Sequence, residues 1–256
     1  MMKKLFKWDL FFYFDQLKWI LAGSILFSLV TFIFKEVKAS NIGIDFIYNT
    51  TFILSIVGIL VSLFYAFFLV LRRFYLSVLK DEGYFTHTLP ISKTHIILAK
   101  YLAGVVAVLI AAVLAILLFF LIGVLNWNDL MMMKDLDPSS FNMMVYGVLV
   151  ALCSTLISLM IFYAALSYEF SFNQKEWLNV FVFFMIYYAI NQLLSMINLG
   201  IAYLINPNIF SNDQTLVVDA VLPIIVINFI FTVGLGIAAF FVTKFYISKK
   251  LNLKNG

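Results

Sequence analysis

Six stretches of this chain contain no charged side chain: Trp19–Phe34, Phe46–Leu71, Tyr101–Asn128, Pro138–Tyr168, Trp177–Asn212 and Ala220–Thr243. Runs of this kind leave few ways to fold. A helix that crosses a bilayer needs about 20 mostly apolar residues. Backbone amides in lipid must also find partners within their own segment, which favours helices. The runs are too long and too evenly apolar for the alternating strands of a transmembrane barrel. Composition agrees, because only 12% of the 256 residues are charged and 64% are hydrophobic. Soluble domains carry about 25% charged residues. A mean hydropathy of +1.04 exceeds what the interior of a soluble domain of this length can hide.

The expected fold is therefore an all-α integral membrane protein. Six transmembrane helices are predicted at 17–34, 50–71, 98–125, 144–168, 177–205 and 219–243, with an N-terminal amphipathic interfacial helix ahead of them. No Gly/Ser linker, low-complexity tract or clear repeat divides the chain, so residues 1–256 are expected to form one six-helix domain. The first span is short, and Lys18 at its edge must snorkel. The third, 28 residues long, would reach about 42 Å at ~1.5 Å per residue, so it is tilted or protrudes.

Lysine and arginine placement predicts orientation. With the N-terminus inside, the inner segments hold Lys3, Lys4, Lys7, Lys18, Arg72, Arg73, Lys80, Lys93, Lys100, Lys175, Lys244, Lys249, Lys250 and Lys254. The outer loops hold only Lys35, Lys38 and Lys134. Both termini are thus expected in the cytoplasm, and the segment between spans two and three (72–97) becomes the largest inner loop. The lead-in KKLFKWDLFFYFDQLKW carries a largely polar stripe at Lys4, Lys7, Phe11, Asp15 and Lys18. Leu5, Trp8, Phe12, Tyr13 and Leu17 occupy the other sides, as in a helix lying on the inner leaflet. An extended basic tail is the plainer alternative. Val37-Lys38-Ala39 offers small residues for signal cleavage, but removing the first span would leave five spans and an unbalanced topology.

Chemistry inside the spans is sparse. Asp219, Glu169 and Glu176 fall at span ends. At mid-depth there are neutral polar groups only: Asn191, Gln192, Ser195 and Asn198 on span five, and Asn228 on span six. Asn191, Ser195 and Asn198 share one helix face. They either hydrogen-bond between helices, at roughly 0.6–2 kcal/mol each, or line a translocation path together with Asn228. The chain has no H-E-x-x-H, no G-x-S-x-G and no paired intramembrane carboxylates. His87 and His95 lack obvious metal-ligand partners. The single cysteine, Cys153, lies in an apolar run, which excludes an internal disulfide. A G-x-x-x-x-G-K-[ST] phosphate loop is also missing, so any use of ATP requires another subunit.

The inner loop reads as helix, break, short segment, break, helix. Span two continues past the membrane through RRFYLSVLK, with Arg72 and Arg73 at headgroup level. Gly83 is placed to end that helix as a left-handed cap. Tyr84-Phe85-Thr86-His87-Thr88-Leu89 can form one or two turns before Pro90 restricts Leu89. Ser92 is placed to cap the next helix. Tyr84, Phe85 and Leu89 on a brief rigid element suggest a docking surface. A plain solvated loop is the simpler reading.

The segment KDEGYFTHTLPISKTHIILAKYLAG, about 25 residues long, resembles the first cytoplasmic loop of ABC-2 type transporter permeases. In that family an acidic residue near a glycine precedes a short coupling segment. L-P-[IV]-S-[KR] and an apolar helix beginning with a basic residue follow. The matching positions are Glu82 and Gly83, then Leu89-Pro90-Ile91-Ser92-Lys93, then Lys100. The match is closest to small exporter permeases of low-GC Gram-positive bacteria.

This resemblance implies a multi-pass protein of a bacterial cell membrane that exports a hydrophobic or amphipathic peptide, lipid or drug. It implies a second permease chain, identical or homologous, and a separate ATP-binding cassette subunit holding ATP and magnesium, with no cofactor in this chain. That subunit would dock on Glu82, Gly83, Tyr84, Phe85, Thr86, His87, Thr88, Leu89 and Pro90, with a second contact from the Glu169–Glu176 loop. It also suggests a re-entrant helix over residues 206–223. Membrane lipids are expected partners and nucleic acid is not. Three other readings stand beside it: an ion-coupled secondary transporter, a membrane-embedded enzyme, which the absent motifs disfavour, and a non-transporting membrane sensor or assembly protein.

Overall fold

The computed structural model describes residues 2–37, 42–80, 82–126, 138–169, 176–205 and 214–249, and every regular element among them is helical. Among the described residues seven α-helices run in chain order: α1 Met2–Val37, α2 Ile42–Phe74, α3 Gly83–Thr88, α4 Lys93–Ile122, α5 Pro138–Glu169, α6 Glu176–Ile205 and α7 Gln214–Lys249. A π-helical turn, Tyr75–Leu79, prolongs α2. Six of these helices, all but α3, are long and apolar enough to cross a membrane. The chain thus has the make-up of a multi-pass membrane protein.

Two expectations about boundaries need correction. The amphipathic lead-in and the first span are one helix, not an interfacial helix followed by a separate span. No glycine or proline lies between Met2 and Ala22 to interrupt it. At 36 residues and ~1.5 Å per residue, α1 is about 54 Å long and outreaches a hydrocarbon core of about 30 Å. Residues 214–223 belong to α7, which passes through Pro223 as a continuous helix rather than forming part of a re-entrant segment. Residues 206–213, and 170–175 of the second inner loop, lie outside the described residues.

The chain groups into two compact units, Met1–Leu76 with Leu89–Met132, and Ser77–Thr88 with Met133–Gly256. In the first, α1, α2 and α4 pack pairwise. Lipid supplies no hydrophobic drive between helices, so small residues and hydrogen bonds carry the association. Ser24, Ser28 and Thr31 form a buried stripe on α1, and Ser55 and Ser62 do the same on α2. Thr31 Oγ1 and Ser55 Oγ hydrogen-bond across the pair at 2.8 Å. Gly58 lies so close to Ser24 that an added Cβ would sit 3.6 Å from the serine Cβ. On α4 the buried face runs through Ala103, Ala107, Ala111 and Ala115, again small residues at helical spacing. Ile59, Ala115, Leu118 and Ile122 close an apolar cluster at one end.

In the second unit α5 packs against α6 and α7. The inward stripe of α7 is Ala239, Thr243 and Ile247. Gly236 permits the closest approach, since a Cβ there would meet Ile157 Cγ2 at 2.6 Å. Tyr168 on α5 meets Tyr246 on α7 edge-on at 5.4 Å and Phe183 on α6 at 5.9 Å. Pairs of this kind add about 0.5–1.5 kcal/mol each beyond area burial.

Candidate functional site

The predicted docking segment is a six-residue helix, α3. How so short a helix is held follows from the turn before it. Carbonyls at the end of a helix have no partner within it, and the residues of this π turn, Ser77, Val78 and Leu79, are buried. Two side chains of α3 reach back to satisfy them. Thr86 Oγ1 donates to the Ser77 carbonyl at 2.6 Å, and His87 Nε2 donates to the Val78 carbonyl at 3.0 Å. Thr86 also bonds the Glu82 carbonyl at 3.1 Å. His87 is thus a structural pin.

With Thr86 and His87 turned inward, Phe85 is left outward and 73% exposed. Glu82, Thr88, Leu89 and Pro90 are also exposed, while Gly83 is buried. Tyr84 lies in α3, but its side chain is outside the described residues. Gly83 does not cap α2 in a left-handed conformation. The long helix has already ended at Leu79, and Gly83 is the first residue of α3, its amide bonded to the Lys80 carbonyl at 2.8 Å. Among the described residues the only positive-φ glycine is Gly123, at φ 80°, which closes α4.

The exit from α3 follows the predicted break. α3 stops at Thr88, and the Ile91 amide bonds the Leu89 carbonyl at 2.7 Å around Pro90. An i to i+2 bond of this kind is a γ-turn, which suits proline's fixed φ. Ser92 is the N-cap of α4: its backbone is extended and its hydroxyl accepts the His95 amide. The same hydroxyl is hydrogen-bonded to His95 Nδ1, which assigns the second histidine to the cap.

Within the first unit lies a charged cluster that the sequence reading did not find. Asp9 of α1 bonds Arg73 Nε of α2 at 3.0 Å and Lys100 Nζ of α4 at 3.1 Å. Asp9 and Lys100 are almost fully buried. The Arg73 guanidinium also lies 4.6 Å from the centre of the Phe12 ring, a cation–π placement. A signal was available. Asp9 stands one turn before Tyr13 and two before Leu17, on the stripe that turns out to be buried, and a carboxylate on a buried stripe calls for a cation.

The residues predicted for a translocation path differ in burial and in bonding. Asn198 is buried, and its Nδ2 donates across to the Ile224 carbonyl of α7 at 3.3 Å. This is the interhelical bond that the sequence offered as an alternative. Asn191 bonds back to Tyr187 of its own helix at 3.1 Å. Ser195 and Asn228 are exposed. Among the described residues no group of His, Cys, Asp and Glu is arranged to hold a metal ion.

No protein-family model, curated protein or solved structure matches the chain. Its class therefore rests on its own residues: six apolar helices and a pinned, exposed turn of helix.

Proposed function

We propose that this chain is the membrane-spanning permease subunit of an ATP-binding cassette exporter, and that α3 is the element its ATP-hydrolysing partner grips. The observation that carries the reading is the division of labour on α3. Thr86 and His87 are committed to backbone carbonyls, and Phe85 projects outward. A large aromatic held on a rigid element is the kind of residue on which binding energy concentrates. The loop sequence around it, from Glu82 to Lys93, resembles the coupling segment of ABC-2 permeases.

On this reading ATP and magnesium belong to the partner, and this chain supplies the path and the handle. In sequence α3 lies between the π turn that prolongs α2 and the capped start of α4. Partner motion can bias the outward or inward state only through contacts that differ between them, and rigid-body rocking of helices then alternates access. A second permease chain, identical or homologous, completes the path. The lysine and arginine distribution supports both termini and α3 on the cytoplasmic side of the bacterial cell membrane. The cargo class is hydrophobic or amphipathic.

The test is affinity purification of the tagged full chain from its native membrane in mild detergent, followed by an ATP hydrolysis assay. A nucleotide-hydrolysing subunit is expected to travel with it. Transport by the purified chain alone, driven by a sodium or proton gradient without nucleotide, would overturn the reading in favour of a secondary transporter.

A further inference from the structure

We propose that the outward face of the last turns of α7 binds an anionic phospholipid of the surrounding leaflet. The helix divides cleanly here. Ala239, Thr243 and Ile247 are buried, and Tyr246 packs edge-on against Tyr168. Phe241, Lys244, Phe245, Ser248 and Lys249 are exposed on the other side. These five, with Val242 and Tyr246, line one open, shallow surface at the end of the helix. Its two phenylalanines lie four residues apart, as do Lys244 and Ser248, so each pair shares one side of the helix. The Lys249 ammonium is held 5.4 Å from the Phe245 ring centre.

The chemistry of this face selects its occupant. Two ammonium groups and a hydroxyl offer charge-assisted bonds to a phosphate, and no carboxylate stands among the described lining residues. Phe241, one turn toward the apolar body of the helix, and Phe245, level with the lysines, offer an acyl chain apolar surface. An anionic diacyl lipid matches both parts, and anionic leaflets attract membrane-flanking lysines. A groove between α1 and α4 makes the contrast. It is comparably apolar, but there Lys18 is already paired with Asp15, which removes the charge preference.

The test reconstitutes the full chain with equal phosphatidylglycerol and phosphatidylcholine, strips loosely held lipid with detergent, and counts retained lipids by native mass spectrometry. The wild type is expected to retain phosphatidylglycerol selectively. Lys244→Gln/Lys249→Gln should lower that selectivity about 10- to 30-fold, and Lys244→Arg/Lys249→Arg should preserve it. Lys7→Gln/Lys18→Gln, which removes the same charge elsewhere, should leave it unchanged. All four lysines are exposed, so the substitutions leave the fold intact. Equal selectivity in the wild type and Lys244→Gln/Lys249→Gln would overturn the site, as would an equal loss in the charge-matched control. If the variant keeps its lipid but loses a co-purifying protein, the face is a protein contact and the proposal falls.

Discussion

Asp9 and Lys100 meet at 3.1 Å with both side chains almost wholly out of solvent, although they stand 91 positions apart in the chain. Arg73 joins them from α2, so one carboxylate ties together all three long helices of the first unit. Removing one partner of a buried pair costs about 3–5 kcal/mol, because charge is left in a poor solvent. Asp9→Asn should therefore destabilise the protein by about 3 kcal/mol, read as a fall in melting temperature in detergent micelles. An unchanged melting temperature would show that the pair contributes little.

Thr86 and His87 hold α3 against buried carbonyls of the π turn. A net hydrogen bond is worth about 0.5–1.5 kcal/mol. Thr86→Val and His87→Ala should each raise amide hydrogen exchange across residues 83–88 several-fold while sparing α5 and α7. Unaltered exchange over that segment would mean that something else pins the helix.

At Gly123 the backbone sits at φ 80°, and its amide bonds the Phe119 and Phe120 carbonyls. An L side chain there is strained. Gly123→Ala should lower stability by about 1 kcal/mol, and an added Cβ must also displace Lys35 Nζ. A neutral effect on melting temperature would contradict the cap assignment.

Gly236 and Gly234 form an internal comparison on α7. A Cβ at Gly236 would meet Ile157 Cγ2 at 2.6 Å, whereas one at Gly234 meets nothing within 4 Å. Gly236→Ala should destabilise by about 1–3 kcal/mol. Gly234→Ala should be neutral or slightly stabilising through helix propensity. Adding Ile157→Ala to Gly236→Ala should recover part of the loss in a double-mutant cycle. Equal effects at the two glycines would rule out the close α5–α7 approach.

The six long helices were legible because charge-free windows this long have one stable form in lipid. Their ends were less so, because a helix continues into water wherever nothing stops it. α1 gains its lead-in for want of a breaker before Gly23, and α5 starts at Pro138, ahead of the predicted span. Pro90 and Ser92 were readable, since proline and an N-cap serine act locally. Gly83 misled because sequence alone does not say which nearby glycine takes the left-handed cap; Gly123, which does, was passed over. The roles of Thr86 and His87 depend on a π turn that no local pattern announced. The Asp9 cluster joins three distant helices, and only the carboxylate's place on the buried stripe hinted at it.

The most direct test of the proposed handle is the response of ATP hydrolysis to Phe85→Asp in proteoliposomes that contain this chain and the ATPase subunit purified with it. Phe85 is 73% exposed, so the variant should fold and melt like the wild type. Loss of a hot-spot anchor is worth at least about 2 kcal/mol. Binding of the ATPase and its substrate-stimulated hydrolysis should therefore fall by about 30-fold. A variant that binds the ATPase with wild-type affinity and stimulates it fully would contradict the assignment of α3.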